Sequence, residues 1–502
     1  MKNNFKNILY NALGYVFPVG VALFTTPYIV HKLTPEIYGI YVLAIFLMGV
    51  MSFLDLGFGQ GIVKFVSQYE AKNDYERINK IIGVSLIIYL GMGLLGCVLI
   101  LLFSNCLVEN VFKISREYVQ AASLAFRIVA FGFLISFVGG IFSNLPKALQ
   151  RYDISVKIQN IVFCCSTISV VILLYFRKGL IEVLIAYVFF QLVGIIIYYN
   201  ASKKILPTII VKLEFDKAVF KEIFGFSIFT AANTVTGNIV VRVDKMIIGG
   251  FLGTSAVAYY SIPFMIVQMC AGFIGAITQH LFPGVSYIQG LKNKERLTEI
   301  YKRAFRYVIS LSLIIAISLI LLGDSFLKLW MGQEFALKSS GILPIISLVF
   351  FFSSITSISI WFYTGLGHTN INLFSSFVGS ACYLLGAIFL IPKLGLYGAA
   401  LSFVLILVPF PIYHYYLLKK ILGISLNWYF NIFMKSLLLL GFTVIIKTFF
   451  YIRVNSIITL FVKEVEIILL LSILLIVLGI FDRKEMFFVI QKLKPPKVVK
   501  YE

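Results

Sequence analysis

Charged residues are scarce in this sequence, and apolar residues fill most of it. Only 13% of the 502 residues are charged, whereas 60% are hydrophobic, and the mean hydropathy is +0.96. Soluble globular domains carry about 25% charged residues. The composition therefore excludes a soluble domain and predicts a polytopic membrane protein.

The sequence also has little of what catalytic and redox sites need. Its six cysteines show no metal-ligand spacing, and five of them fall inside predicted helices as small apolar residues. No small-residue cleavage site follows the first apolar run, so we expect the first helix to remain in the protein. The longest polar connections, 201–221 and 286–303, are too short to fold as domains, so we expect no catalytic domain outside the membrane.

Long apolar runs are what the sequence has in abundance. A spanning helix needs about 20 apolar residues, and a window of that size predicts fourteen spans. Their approximate limits are 8–30, 38–62, 80–103, 118–144, 157–176, 180–200, 222–248, 256–282, 304–323, 341–364, 371–391, 396–418, 428–450 and 459–481.

The formal net charge of +21 reflects membrane topology rather than a nucleic-acid partner. Lys and Arg concentrate at both termini and in the connections on the same side, and the opposite side holds far fewer. The positive-inside rule therefore predicts that both termini are cytoplasmic. The basic tail Arg483–Lys500 is also expected to contact anionic membrane lipids.

A polar stripe runs along the predicted helix 222–248. At 100° per residue, its six members fall within a sector about 120° wide, and the opposite side is mostly apolar. Charge in hydrocarbon is costly, so the stripe is expected to line a cavity or a helix interface. Its members are Ser227, Thr230, Thr234, Asn238, Arg242 and Lys245.

Two further points bear on the cations of this stripe. Asp244 lies about 100° from them on the helix, close enough to pair with either one from the side. The alternative is that Arg242 and Lys245 simply extend to the nearer membrane surface, because Gly249 and Gly250 mark a nearby helix end.

The sequence contains an internal repeat. LTPEIYGIY at 33–41 matches LGTSAVAYY at 252–260 with a shift of 219 residues, and the same shift aligns Glu76–Ile78 with Glu295–Leu297. A shift of 217 aligns 148–154 with 365–371. A duplicated six-helix unit has both ends on one side, so the two copies are predicted to be parallel and related by an axis along the membrane normal.

The predicted fold is therefore an all-α polytopic membrane protein of about fourteen helices. Two parallel six-helix lobes, 1–205 and 222–420, are joined by a cytoplasmic linker at 206–221 and surround a central cavity. Two extra helices at 421–481 and a basic cytoplasmic tail at 482–502 follow. Such lobes suit rocking between inward-open and outward-open states, although duplication can also serve assembly alone, as in some channels.

Five motifs carry a resemblance to a known family. Taken in order, the chain resembles the bacterial polysaccharide exporters of the Wzx-type oligosaccharide flippases, in the superfamily that includes multidrug exporters and lipid II flippases. The resemblance covers essentially the whole chain. Its motifs are LTPEIYG at 33–39, DLGFGQG at 55–61, NDYERI at 73–78, DKMIIG at 244–249 and AYY at 258–260.

The resemblance implies a flippase rather than an enzyme. It implies movement of an undecaprenyl-diphosphate-linked oligosaccharide from the cytoplasmic to the outer leaflet of the bacterial inner membrane, for O-antigen, capsule or exopolysaccharide synthesis. It implies coupling to an H⁺ or Na⁺ gradient and no other cofactor or metal, in keeping with the absence of a GxxxxGK[ST] motif. Further partners to consider are the polymerase and chain-length proteins of the glycan pathway.

Cations within or beside the spans are candidate contacts for a diphosphate, which Arg and Lys bind well. Arg242 and Lys245 come first. Arg127 is a second candidate, but it lies near the outer end of its helix and can instead extend to the membrane surface. Arg151 and its repeat mate His368 lie at cytoplasmic helix ends, where ordinary positive-inside charge is the alternative.

The remaining candidates concern ion coupling and sugar contacts. Asp55 and Asp244 are candidates for ion coupling or for a structural ion pair, because a carboxylate in low dielectric is poised to take up a proton or Na⁺. Polar and aromatic residues that could contact sugars, or instead join helices and anchor the protein at the interface, are Gln268, Gln279, His280, Trp361 and Tyr363.

Several other functions compete with the flippase. A drug or small-molecule exporter and a lipid II flippase of the same superfamily are the alternatives within transport, and the two extra helices argue mildly against the twelve-helix drug exporters. A membrane-embedded polymerase or ligase is disfavoured because the largest outer connection, 324–340, is short and lacks a pair of acidic or His residues at working distance. A channel remains the other alternative.

Overall fold

The computed structural model describes residues 2–50, 58–70, 72–149, 151–279, 281–290, 293–339, 341–449 and 454–481. Within these helices the side chains at 2–16, 50, 152, 226, 228–242, 283–284, 287 and 290 are not described. The described residues form helices and no strand. Asp55 and His280, and the basic tail, lie outside the described residues.

Sixteen α-helices account for most of the described chain. They are α1 (Lys2–Val50), α2 (Phe58–Glu70), α3 (Tyr75–Cys106), α4 (Val119–Ala148), α5 (Tyr152–Tyr175), α6 (Leu180–Ile205), α7 (Lys217–Leu252), α8 (Thr254–Thr278), α9 (Leu281–Gly290), α10 (Lys294–Met331), α11 (Gln333–Ser339), α12 (Ile342–Gly365), α13 (Thr369–Val404), α14 (Phe410–Tyr415), α15 (Leu426–Phe449) and α16 (Ile457–Val477). Short π-helical segments lie at Leu107–Val111 and Tyr416–Leu422.

Ten helical segments in the described residues are long and apolar enough to cross a membrane. One of them, Thr369–Leu422, spans 54 residues and covers two of the predicted spans. Large apolar side chains on these helices, such as Phe449 and Leu438, lie exposed on the protein surface, as expected of faces in contact with lipid. The chain is a multi-pass membrane protein, and the arrangement of fourteen spans stays a prediction.

The chain divides into two compact units. Unit 1 comprises Met1–Met265 and Ser376–Ile406, and unit 2 comprises Ile266–Ser375 and Leu407–Glu502. These limits cut through α8 and α13 and differ from the limits of the predicted lobes, whose division stays a prediction.

In unit 1, α4 packs against both α3 and α6. Small residues let the helices of this unit pack closely. Gly96 of α3 faces the ring of Phe133 on α4, and a Cβ at Gly194 of α6 would lie 3.2 Å from Val162 on α5. The core beside them is aromatic, with the ring centroids of Phe133 and Phe137 4.6 Å apart. In a membrane, where lipid is as apolar as the core, such close packing is what holds helices together.

In unit 2, α10 packs against α12, α15 and α16. Aromatic contacts dominate: the rings of Tyr301 and Phe362 lie 5.1 Å apart, edge to face. An ion pair joins α15 to α10, with Lys447 Nζ 2.8 Å from Asp324 Oδ2. Buried aromatic pairs of this geometry add about 0.5–1.5 kcal/mol each beyond their area.

Local backbone geometry recurs at the spacing of the sequence repeat. Asp74 caps α3 by accepting a hydrogen bond from the Arg77 amide at 3.0 Å, and 219 residues later Asn293 caps α10 in the same way, from the Arg296 amide at 2.9 Å. Short Asx side chains are preferred at this position because they satisfy an unpaired amide of the first turn. A duplicated unit predicts this recurrence.

The repeat also extends to an unusual conformation. Thr34, inside α1, has φ 66° and ψ 157°, and its mate Gly253, between α7 and α8, has φ 83° and ψ 177°. This region is nearly closed to residues with a side chain, and holding one there costs on the order of 1–3 kcal/mol. Thr34 therefore marks a sharp break between two helical stretches of α1, as Gly253 does between two helices.

Candidate functional site

The most unusual polar group in unit 1 is a charged pair near the end of α7. Asp244 is 1% exposed. The Nζ atom of Lys245 lies 3.5 Å from Asp244 Oδ1, and the Lys245 amide donates a hydrogen bond to the same oxygen at 2.6 Å. The pair lies eight residues before the end of α7, or about 12 Å along the helix axis.

The second carboxylate oxygen of Asp244 is not satisfied within the part of the chain that the structure describes. Among the described residues, Asp244 Oδ2 has no hydrogen-bond partner, and neither do the hydroxyls of Tyr260 on α8 and Tyr383 on α13. Both tyrosines are fully buried and interact electrostatically with Asp244. A buried polar group without a partner costs about 1–3 kcal/mol. A carboxylate oxygen and two hydroxyls without described partners are groups that bind a proton or a small cation.

Aromatic rings surround this site. Lys245 Nζ lies 5.0 Å from the centroid of the Phe264 ring, which stacks on Tyr260 at 5.5 Å. Phe403 meets Phe264 edge to face at 5.4 Å and Tyr383 at 6.2 Å. We call Asp244, Lys245, Tyr260, Phe264, Tyr383 and Phe403 the Asp244 cluster. Its apolar walls keep the local dielectric low, which strengthens the charge interactions inside it.

Glycines allow the end of α7 to pack closely on its neighbours. A Cβ at Gly249 would lie 3.3 Å from Leu43 of α1, and one at Gly250 would lie 2.9 Å from the carbonyl oxygen of Val111. Gly39 of α1 likewise lies against the Thr254 backbone at the start of α8. The segment that carries Asp244 and Lys245 is thus held by backbone-to-helix contacts within unit 1.

The rest of the predicted polar stripe is only partly described. All six residues lie on α7, but the side chains of Thr230, Thr234, Asn238 and Arg242 are outside the described part of the structure. Ser227 is buried, and a Cβ at Gly61 of α2 would lie 2.9 Å from its hydroxyl. The described start of the stripe therefore faces a helix contact in unit 1.

The other predicted cations lie on the surface. Arg127 is exposed on α4. Arg151 is also exposed, and its guanidinium donates two hydrogen bonds of 3.0 Å to the carboxylate of Asp153. His368 is exposed after α12, and its amide donates to the carbonyl oxygen of Tyr363 at 2.8 Å. Contact of any of them with a diphosphate stays a prediction.

The predicted sugar-contact residues that the structure describes differ in their exposure. Gln268 is half-buried on α8, and Gln279 is exposed just after it. Trp361 is half-buried on α12, with its ring 6.4 Å from that of Phe282. Tyr363 is fully buried, and its hydroxyl donates to the carbonyl oxygen of Tyr413 at 2.7 Å.

Sequence reasoning missed the two tyrosines of the Asp244 cluster. Tyr260 belongs to the repeated AYY motif, which identified it as part of a pattern but not as a partner of Asp244. Tyr383 lies more than 130 residues after Asp244 in the sequence, inside an apolar helix. A helical periodicity shows which face a residue occupies and not which other helix that face meets. In the described part of the chain, no group of His, Cys, Asp and Glu could hold a metal ion.

Comparison with known proteins identifies the family of this chain. Residues 5–289, more than half of the chain, match the family model described as "Polysaccharide biosynthesis protein". A Shigella flexneri protein named "Putative O-antigen transporter" is 25% identical over 403 residues, which cover 79% of this chain and 93% of that protein.

Solved structures share the fold. The lipid II flippase MurJ in an inward closed conformation superposes with a TM-score of 0.73 at 17% identity, over 93% of this chain and 98% of that protein. An inward-facing multidrug resistance transporter of the MATE family, in the MOP superfamily, gives 0.62 at 15% identity over 81% and 93%. These relatives are transporters and flippases, which confirms the prediction of a transporter of Wzx type rather than an enzyme. The chain therefore belongs to the polysaccharide biosynthesis protein family of membrane transporters.

Proposed function

We propose that the protein flips an undecaprenyl-diphosphate-linked oligosaccharide from the cytoplasmic to the outer leaflet of the bacterial inner membrane, for O-antigen, capsule or exopolysaccharide synthesis. The observation that carries the proposal is the match to the O-antigen transporter, because it extends over 93% of that protein. The family match over residues 5–289 supports the same substrate class. Both termini are cytoplasmic in this proposal, as the distribution of Lys and Arg predicts.

The Asp244 cluster supplies a way to couple this transport to an ion gradient. In the structure, Asp244 and Lys245 balance each other's charge at 3.5 Å. A proton or Na⁺ at the unpartnered Oδ2 neutralises the carboxylate and leaves the Lys245 ammonium with excess positive charge. An ammonium so released attracts a diphosphate, since multivalent anions are strong acceptors for charged hydrogen bonds. Ion uptake and anion binding are then linked by charge.

Alternating access completes the cycle. The two predicted lobes, 1–205 and 222–420, suit rocking between inward-open and outward-open states, with the lipid tail remaining in the bilayer throughout. Only the glycan and the diphosphate need a polar path. Residues proposed to contribute to that path are Thr230, Thr234, Asn238 and Arg242 of the α7 stripe.

A drug exporter is the second candidate. The similarity to the multidrug resistance transporter favours it, although at 15% identity that likeness concerns the fold alone. The lipid II flippase has the higher TM-score, and the substrate in its name is a lipid rather than a drug. A cell-based experiment separates these possibilities.

We expect deletion of the gene to cause a diphosphate-linked repeat unit to accumulate on the cytoplasmic leaflet while the surface glycan disappears. The measurement is extraction and mass analysis of the lipid-linked intermediates, together with staining of the surface glycan. A plasmid copy of the wild-type gene is the control and should restore the glycan. Normal glycan with altered drug sensitivity in the deletion strain would support the exporter instead.

A further inference from the structure

A cleft of about 330 Å³ lies within unit 1, away from the Asp244 cluster. It is formed by α4, α5 and α6, and each helix presents one face to it. On α6 the lining positions include Tyr187, Phe190, Gln191 and Tyr198, which recur at the three- and four-residue spacing of a single helical face. On α5 they include Gln159 and Phe163, one turn apart.

The wall of the cleft carries polar amide side chains on helices that are otherwise apolar. Gln159 and Gln191 lie in helices long and apolar enough to cross a membrane. A buried amide in such a helix is costly unless protein or ligand groups satisfy it. Tyr187 lies one turn before Gln191 on the face of α6 that lines the cleft. Gln191 Oε1 is buried without a hydrogen-bond partner among the described residues.

The lack of charge among the described lining residues limits which ligands fit the cleft. The residues described around the cleft include no carboxylate, Lys, Arg or His. A diphosphate would find no countercharge there, so the occupant is neutral. An isoprenoid or acyl chain would leave both amides unsatisfied. A neutral group rich in hydroxyls fits the cleft, because its hydroxyls hydrogen-bond to the amides and its apolar faces stack on the Phe and Tyr rings.

A cation on α4 beside the cleft is suited to bind the diphosphate of a lipid-linked glycan. Ser143 of α4 lines the cleft, and Lys147 lies four residues further along on the same helical face. Lys147 is half-buried and donates a hydrogen bond to Asn144 at 3.3 Å. Arg151 follows at the end of α4, on the side predicted to be cytoplasmic. Arg151 is already paired with Asp153 at 3.0 Å, so Lys147 is the cation beside which a diphosphate would lie with its sugars in the cleft.

We propose that the cleft between α4, α5 and α6 is a subsite for the sugar units next to the diphosphate, with Gln159 and Gln191 as hydrogen-bonding groups. This inference rests on the proposed function, since it deepens that function by naming where the glycan binds on entry. It is separate from the predicted sugar contacts at Gln268, Gln279 and Trp361, none of which lines the cleft.

The test measures binding to the full-length protein in lipid nanodiscs. Two probes are compared: undecaprenyl diphosphate carrying one N-acetylhexosamine, and undecaprenyl diphosphate alone. In the double variant Gln159→Leu/Gln191→Leu we expect affinity for the sugar-bearing probe to fall roughly tenfold, as the loss of one or two net hydrogen bonds gives. Affinity for the sugarless probe should not change.

The control is Gln120→Leu, an exposed position on α4 that does not line the cleft; it should bind both probes as the wild type does. Equal loss for both probes in the double variant would assign the cleft to the lipid tail and overturn the proposal. Unchanged binding of both probes would also overturn it, while leaving the proposed function intact. A wild-type protein that binds neither probe would contradict the proposed function itself.

Discussion

Asp244→Asn is expected to remove the dependence of transport on an ion gradient and to lower its initial rate at least tenfold. Asparagine keeps the shape of the side chain, but it cannot take up a proton or balance Lys245. The unpartnered oxygen beside Tyr260 and Tyr383 then no longer attracts a cation. The measurement is the rate of flipping in proteoliposomes under imposed pH and Na⁺ gradients.

A matched control exists in unit 2. Asp324 pairs with Lys447 at 2.8 Å and is 39% exposed, so it differs from Asp244 in burial rather than in chemistry. Asp324→Asn should keep the gradient dependence, because a partly exposed pair contributes little. If Asp244→Asn retains the wild-type pH and Na⁺ profiles, Asp244 has no part in coupling.

Lys245→Gln is expected to give the second large effect, a loss of most transport. It removes the ammonium that the diphosphate is proposed to contact, and it leaves the Asp244 carboxylate buried without its cation. Breaking a buried pair on one side typically costs about 3–5 kcal/mol of stability. The single variant should therefore also be less stable, measured as a lower unfolding midpoint in detergent.

The double variant Asp244→Asn/Lys245→Gln separates folding from transport. The double variant leaves no uncompensated buried charge, which is the main cost of breaking the pair on one side, so its unfolding midpoint should return towards that of the wild type. Its transport should stay low. Recovery of both stability and transport would make the pair purely structural.

Arg242→Ala, on the same helical stripe, should weaken transport while leaving insertion intact.

The local features of the fold were the most predictable from the sequence. The Asx residues at 74 and 293 lie at equivalent places in the repeat, and both cap helices. Gly253 signals the break before α8 because glycine tolerates a positive φ. Its mate Thr34 carries no such signal, since threonine is rarely found there. The structure nevertheless breaks α1 into two helical stretches at Thr34, where φ is 66°.

The candidate sites were predictable only where their residues are neighbours in sequence. Asp244 and Lys245 are adjacent, so their pairing followed from one helix. Tyr383 comes from a distant part of the chain, and the cleft requires three helices to converge. Helical periodicity assigns faces within one helix, whereas the choice of neighbouring helix depends on packing of small residues such as Gly194.

The central claim is that this protein moves a lipid-linked oligosaccharide between leaflets. The most direct measurement places the purified protein and undecaprenyl-diphosphate-linked oligosaccharide in sealed proteoliposomes and follows the glycan fraction exposed to an added glycosidase. Our account predicts that this fraction rises with time, faster under an imposed ion gradient, and that it does not rise in protein-free liposomes. An exposed fraction that stays equal to that of protein-free liposomes under every gradient would contradict it.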